Sequence, residues 1–346
     1  MSAKPDTANM PKVLSVDLGR TSTKACVSRN PNEVVLIPAN VAHLSVEEVR
    51  RGGFDSGYND PLLDIWLEHQ GRGYAIGQLA ADFGANLGVG QSKVEDALVK
   101  VFACIGHFGL QGDLYIALGL PYLSQDQFDR EKDQITGLLR SPHLMIYRGE
   151  PVAVNIRQVW VMPEGYGSLI WSEAQEKDKD SPDFTNASVA VVDIGHQTAD
   201  FLMIDKFRFA RGVSKSEAFA MSQFYEQVAS QIPGADSQSL SLIEAVNRPE
   251  GDRLYRPRGE TKPYDLDETL PSLKKVFARE LSERLIQWLP ERATDVIISG
   301  GGGEFFWDEL QPLLKDAQIR ATLAQPSRKA NALGQLLYGQ TQALKR

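Results

Sequence analysis

Short apolar runs closed by glycine- or asparagine-bearing turns dominate the first third of the chain. They predict strands at Val13–Val16, Ala25–Ser28 and Val34–Pro38, joined as an antiparallel meander. Ile65–Glu68 and Gly73–Ile76 read as two more strands around a His-Gln-Gly-Arg turn. The spacing then changes. Val94, Ala97, Leu98, Val101, Phe102 and Ile105 recur at helical intervals, predicting a helix over Lys93–Ile105 with Ser92 as its N-cap. Leu114–Leu120 is a further strand, stopped by Pro121, and Ser124 caps a helix running to Leu139. Leu144–Tyr147 and Val152–Val161 form a hairpin around Arg148-Gly149-Glu150. Its second strand ends in Met162-Pro163-Glu164-Gly165, before a helix at Tyr166–Ala174.

The polar stretch from Ser172 to Asn186 interrupts this pattern and reads as a solvated linker. Val189–Val192 is a β-branched run of the kind buried in a covered sheet. Phe201–Ile204 and Phe207–Ala210 pair around Asp205-Lys206, and Ser216–Ile232 reads as an amphipathic helix. Pro233–Thr269 is rich in turns and charge, like the earlier Gly-rich segment Ala39–Asp64 with its RRGGFDSGYND centre, and both read as insertions. A long helix over Leu270–Leu289 lies between Pro271 and Pro290. Asp295–Ser299 is a strand opening onto Gly300-Gly301-Gly302-Gly303; a helix follows near Glu304, and a last one covers Lys329–Gly339. Each half therefore starts with strands, carries an insertion and ends in alternating strands and helices. That order predicts α/β layers on mixed sheets and argues against a single barrel.

Composition narrows the function. The 346 residues suit two domains, and 42% hydrophobic with 24% charged residues describes an ordinary globular protein. A net charge of −8 disfavours a broad electrostatic grip on nucleic acid. No apolar run approaches the ~20 residues that span a bilayer, and the polar N-terminus, expected to be a loose tail, lacks the apolar core of a secretory signal. Cys26 and Cys104 sit in apolar surroundings, as small buried hydrophobes do, and the five histidines form no zinc-binding spacing. No G-x-x-x-x-G-K-[ST] is present, so a nucleotide would not be held by a P-loop.

The candidate chemistry lies in two matching turns. Val189–Val192 hands Asp193 to a D-x-G-x-x-T-x-D turn containing Gly195, Thr198 and Asp200. Val13–Val16 hands Asp17 to a D-x-G-x-T turn continuing through Lys24. Strand ends are where open α/β sheets bind ligands, and glycine lets backbone N–H groups approach a phosphate. Two such hairpins suggest related halves facing one phosphate chain. Gly19, Arg20, Thr21, Ser22 and Thr23 could cradle phosphates from one side, and Gly195, His196, Gln197 and Thr198 from the other. Asp17 and Asp193 could hold a divalent cation, and Lys24 could reach the β-phosphate. One such turn alone would read as an aspartate capping its own backbone; the pair favours a site. Gly300–Gly303 would let a flat ligand approach the backbone, as adenosine requires; a flexible loop is the alternative, disfavoured because the four glycines tie a strand directly to a helix.

D-x-G-x-T-x-x-K at Asp17–Lys24, D-x-G-x-x-T-x-D at Asp193–Asp200 and GGGGE at Gly300–Glu304 resemble the two phosphate motifs and the adenosine motif of the actin, DnaK and sugar-kinase superfamily. Within it the chain is most similar to the ParM/StbA-type prokaryotic actin-like proteins. The supporting segments are YAIGQLA at Tyr74–Ala80, ALGLP at Ala117–Pro121, VMPEG at Val161–Gly165 and ANALG at Ala330–Gly334. The resemblance implies an α/β actin-like fold of two RNase H-like domains, each with a smaller inserted subdomain, and a nucleotide in the cleft between them. Domain I is expected over 1–185 with its insertion at about 39–90, and the C-terminal helix 335–346 is expected to pack back on it. Domain II is expected over 186–334 with an insertion at about 233–269.

By the same resemblance Glu164 is the catalytic carboxylate that orients the attacking water, and Asp17 and Asp193 hold Mg2+ through its waters. The cofactors are ATP or ADP with Mg2+. A carboxylate at that position could instead be a helix-start acid favoured by the dipole. Lys215, Glu217, and Lys275 or Arg279 are expected beside ribose and base. Arg20, His196 and Gln197 replace smaller residues of the family pattern and either tighten phosphate contacts or alter turnover. The implied function is a cytoplasmic ATPase whose head-to-tail filaments move plasmid DNA through a DNA-binding adaptor, with no direct nucleic-acid binding and no membrane segment. The alternative is a non-polymerising small-molecule kinase or ATPase of the same superfamily. No acceptor-site signature supports a kinase, and a chaperone would need a substrate-binding domain after the last helix.

Overall fold

The computed structural model describes residues 12–52, 60–87, 93–175 and 183–345. The expected N-terminal tail, most of RRGGFDSGYND, the Ser92 cap and the middle of the polar linker lie outside them. The chain divides into two units, 1–176 with 328–346, and 177–327.

In the first unit β1 (Lys12–Leu18), β2 (Ser22–Cys26) and β3 (Val35–Pro38) form an antiparallel meander. Six consecutive residues of β1, Val13–Leu18, are buried, so this strand is covered on both faces. Next come β4 (Val41–Leu44), α1 (Val46–Gly52), β5 (Ile65–His69), β6 (Arg72–Ile76), α2 (Gln78–Asp82) and α3 (Ala97–His107). The unit continues with β7 (Gly112–Leu120), α4 (Gln125–Leu139), β8 (Pro142–Tyr147), β9 (Glu150–Pro163) and α5 (Tyr166–Ala174). One nine-stranded sheet results, in the order β3-β2-β1-β7-β9-β8-β5-β6-β4, with β7 parallel to both β1 and β9. Strands from the 39–90 segment thus continue the main sheet through the β5–β8 pairing. They carry a small core of Ala42, Ala75, Leu79 and Ala80.

Two local expectations shift here. Helix α3 begins at Ala97, not Lys93, with Asp96 in the N-cap position. The side chains that precede it are committed elsewhere: Lys93 pairs with Glu164, and Asp96 accepts from His43 Nε2 at 3.0 Å. The β8–β9 hairpin is longer than its apolar runs because β9 pairs on both sides, with β8 and with β7.

In the second unit β10 (Ser188–Ile194), β11 (Ala199–Asp205), β12 (Arg208–Phe209) and β13 (Lys215–Glu217) precede α6 (Met221–Ser230) and α7 (Leu240–Asn247). A two-residue ribbon, β14 (Leu254–Tyr255) and β15 (Tyr264–Asp265), leads to α8 (Leu270–Trp288), β16 (Asp295–Ser299), α9 (Gly300–Asp316) and β17 (Ala321–Leu323). The sheet order is β12-β11-β10-β16-β17, with β13 against β11. An antiparallel meander on one side of the first strand and parallel strands on the other repeats the β3-β2-β1-β7-β9 order of the first unit. The helix expected from Ser216 starts at Met221 instead. Lys215–Glu217 is drawn into the sheet by Ala199–Phe201, a tertiary pairing that overrides local periodicity. Helices α6, α8 and α9 meet in an aromatic core: Phe277 stacks on Phe306 at 4.9 Å, and Phe224 meets Phe306 edge-on at 5.1 Å.

The last helix, α10 (Ser327–Ala343), lies from Arg328 onward in the first unit. It packs on β1 and β7, where Gly339 faces Val13 and Ala117 and the Ser15 hydroxyl donates to Ala332 O at 2.7 Å. Among the described residues no helix is long and apolar enough to cross a membrane.

Candidate functional site

Each unit carries one half-site, built around an aspartate at the end of its first strand. In the first unit Asp17 is buried, 5% exposed, and its carbonyl accepts from the Gly19 amide at 3.0 Å. A side chain at Gly19 would collide with Ser22 O and lie 2.8 Å from Lys24 Nζ, so only glycine lets the turn close and the lysine cross it. Lys24 Nζ pairs with Asp17 Oδ2 at 3.1 Å. Arg20, Thr21 and Ser22 are half-buried along the turn, and the Thr23 hydroxyl is buried with no partner among the described residues.

Glu164 belongs to this same half-site. It follows β9 directly, its amide donates to Leu120 O at 2.9 Å, and it is 8% exposed. Its carboxylate forms an ion pair with Lys93, and both side chains are about nine-tenths buried, at 10% and 9% exposure. Arg20 feels the same carboxylate: burial pulls its guanidinium below the ordinary value, while Glu164 and Glu131 oppose that shift. Gly119 makes the space. A Cβ there would stand 2.6 Å from Gln335 Nε2 and 3.3 Å from Glu164 Cγ. The glycine in ALGLP, whose plainest reading is part of a strand stop, is required by the site's packing.

The residues after Glu164 are held from α10. Gly165 has φ +88° and provides no capping side chain for α5. Asn331 supplies the cap from a distance, its Oδ1 accepting from the Gly165 and Ser168 amides at 3.0 and 3.3 Å. Gly334 touches the Gly167 carbonyl so closely that a Cβ would overlap it. Lys93, Asn331 and Gln335 carry no catalytic signature. The small residues of ANALG were the one visible trace of this contact.

In the second unit Asp193 ends β10 and accepts from Ser299 Oγ at 3.0 Å. The turn closes with Gly195 N donating to Thr198 O at 2.9 Å. Helix α6 then starts on it, with Ser222 N donating to His196 O at 2.7 Å. His196 leans on Tyr225 at 5.7 Å, and Gln197 is half-buried in the turn. Asp200 accepts from Thr198 Oγ1 at 3.2 Å and from the Ser216 hydroxyl, so it braces the turn. Lys215 pairs with Glu217 at 2.5 Å, and Arg284 reaches Glu217 at 3.3 Å. Lys275 and Arg279 are exposed on α8, and no contact among the described residues ties their side chains to the turn. The adjacent Lys274 instead pairs with Glu309 at 3.2 Å.

The glycine run differs from its expected form. Gly300–Gly303 are the first turn of α9, which starts four residues before Glu304. Gly300 has φ +83°, and a Cβ on it would meet Ile194 O and lie 2.5 Å from Asp193 Oδ1; Gly302 packs on Ile194. These glycines bring a helix start against the end of β10. The close approach that these glycines permit is to Asp193 and Ile194.

Among the described residues no group of three or more His, Cys, Asp or Glu side chains gathers to hold a metal. With Asp200 committed to Thr198 and Ser216 and Glu164 to Lys93, one further buried aspartate at each turn suits a cation that keeps most of its waters and takes its other ligands from phosphate, as Mg2+ does. Taken within its own unit, either Asp17 or Asp193 suits such an ion.

Residues 15–167 match the family described as the N-terminal domain of actin-like proteins. Residues 191–312 match the C-terminal domain described as an archaeal actin homologue of MreB-like type. No curated protein matches the chain by sequence. Among solved structures the chain is similar to the actin-like protein Alp7A, with 15% identity, a TM-score of 0.73 and coverage of 96% of this chain and 97% of that one. The archaeal actin homolog Ta0583 in complex with ADP has 18% identity and a TM-score of 0.71, with 95% and 99% of the two chains covered. ParM in a 15-stranded filament from Clostridium botulinum has 17% identity and a TM-score of 0.69, with 96% and 99% covered. With a family domain matched on each half and one strand order repeated in both units, the chain has the actin-like fold and belongs to the prokaryotic actin-like protein family.

Proposed function

We propose that the chain is a cytoplasmic ATPase that binds magnesium nucleotide and assembles head to tail into nucleotide-dependent filaments. The observation that carries this reading is the repeated half-site: in each unit a buried aspartate ends the first strand and a glycine turn follows it. Support also comes from two proteins of similar structure, one in complex with ADP and one in a filament.

In this reading the Asp17 and Asp193 turns hold phosphates, and Lys24 adds a positive charge at the first turn. Magnesium, when bound, would neutralise phosphate charge with Asp17 and Asp193 as its protein partners. Glu164 orients a water toward the terminal phosphorus and accepts its proton. A new P–O bond forms, the bond to the bridging oxygen breaks, and ADP and phosphate leave. Fixing the Glu164 backbone between Leu120, Gly119 and the Asn331-capped α5 keeps its side chain at the site. The cargo of such a filament would be DNA taken up through an adaptor, since a net charge of −8 disfavours direct contact.

Light scattering followed together with phosphate release, with and without ATP and Mg2+, tests both parts. Scattering that rises with nucleotide and decays as phosphate appears is the expected result. Phosphate release with flat scattering over a wide concentration range would replace the filament by a non-polymerising ATPase or kinase. Glu164→Gln is expected to retain nucleotide while slowing hydrolysis by about 100-fold or more. Undiminished turnover in that variant would remove Glu164 from the mechanism.

A further inference from the structure

Two cations, Lys93 and Arg20, lie against Glu164, and a third, Lys100, faces those two. Lys93 is paired with the carboxylate, Arg20 in the phosphate turn is electrostatically coupled to it, and Lys100 on α3 lies within reach of both Arg20 and Lys93. Lys100 is held below its ordinary value, first by burial, with Arg20 and Lys93 adding repulsion and Asp96 and Glu95 opposing. Partly buried like charges repel, and an anion among them relieves both the repulsion and the lost hydration. A second observation lies on the other side of Glu164. Gln335 is fully buried, its Oε1 lies 3.3 Å from the Ser15 hydroxyl that donates to Ala332 O, and its Nε2 has no hydrogen-bond partner among the described residues. That amide and Glu164 Cγ abut the same point above Gly119. A buried donor without an acceptor costs free energy in this arrangement and is satisfied by a carboxylate that turns toward it.

Resting on the nucleotide-binding reading, we propose that Lys93 senses the terminal phosphate of a bound nucleoside triphosphate. The phosphate competes with Glu164 for the Lys93 ammonium. When it wins, the Glu164 carboxylate is released toward the Gln335 amide and the attacking water. ADP has no terminal phosphate to present and leaves the Lys93–Glu164 pair intact. The carboxylate that assists hydrolysis is thus engaged only when there is a phosphate to remove.

Fluorescence titration with Mg2+ and labelled ADP, or a labelled non-hydrolysable ATP analogue, tests this by binding alone. Lys93→Gln is expected to lose triphosphate affinity by about tenfold, the scale of one charge-assisted hydrogen bond, with ADP affinity unchanged. Lys93→Arg keeps the preference. Glu164→Gln, which removes the competitor, tightens the triphosphate selectively. Because Lys93→Gln strands a buried carboxylate at a cost to folding, the charge-balanced pair Lys93→Gln/Glu164→Gln is measured beside it and is expected to show the same loss. Wild-type binding of both nucleotides, with an unchanged triphosphate-to-diphosphate ratio in the double variant, overturns the role of Lys93 and leaves the nucleotide site standing. A wild-type chain that binds neither nucleotide overturns both.

Discussion

The side-chain oxygen of Asn331 lies 3.0 Å from the amide nitrogen of Gly165, the N-cap residue of a helix, 166 residues earlier in the chain. The contact fixes the residue after Glu164 from the opposite end of the sequence. Asn331→Ala removes the acceptor for two helix-start amides, and a loss of about 1–2 kcal/mol is expected. Urea denaturation measures it. Asn331→Asp, which keeps the acceptor, is expected to recover most of the loss; if both variants match wild type, the cap contributes nothing.

Gly334 and Gly167 bring α10 and α5 into backbone contact. Gly334→Ala places a methyl group on the Gly167 carbonyl, and neither backbone can step aside without moving a helix. Destabilisation of about 2 kcal/mol or more is expected, despite alanine's better helix propensity. A thermal midpoint equal to or above that of wild type would show that the helices adjust freely.

Gly300→Ala tests the glycine run. The position has φ +83°, where an L-residue costs about 1–2 kcal/mol, and its Cβ would press on Asp193 Oδ1. The variant is expected to be less stable and also to bind magnesium nucleotide more weakly, because Asp193 must shift. A stability loss with unchanged nucleotide affinity would separate the helix start from the phosphate turn.

His69 gives the fold a pH dependence. It is buried against Phe102 at 4.8 Å, with Nδ1 bonded to Leu144 O at 3.1 Å. Burial holds its pKa below the ordinary value, the Leu144 contact opposes the shift and His143 adds to it. The unfolded chain therefore binds the proton first as pH falls. The contribution to stability is complete above about pH 6.5 and declines below it, toward the lowered folded value. His69→Gln is expected to flatten the slope of urea midpoint against pH below about pH 6.5. An unchanged slope would assign the acid sensitivity to other groups.

Much of this architecture was readable along the chain. The covered strands Val13–Val16 and Val189–Val192 and their Asp-Gly turns announce themselves because buried runs, aspartates at strand ends and glycine turns are local features. The α4 cap at Ser124 and the proline-bounded α8 are local too. Where the structure departs from the local pattern, a distant partner intervenes. Lys215–Glu217 became a strand because Ala199–Phe201 offered a ladder, and Lys93 left the helical register with its side chain on Glu164. The glycines after Ser299 became a helix start because their missing side chains admit Asp193 and Ile194.

The sequence by itself determined the two aspartate turns, the α/β alternation and the family, since each is written in short segments whose chemistry depends on near neighbours. Only the tertiary structure decided that Lys93 binds Glu164, that Asn331 caps α5 and that Gln335 stands beside Gly119 with an unmet donor. Those relationships join residues tens to hundreds of positions apart. The buried charge and the orphaned amides that make them matter exist only once the sheet and its last helix exclude water.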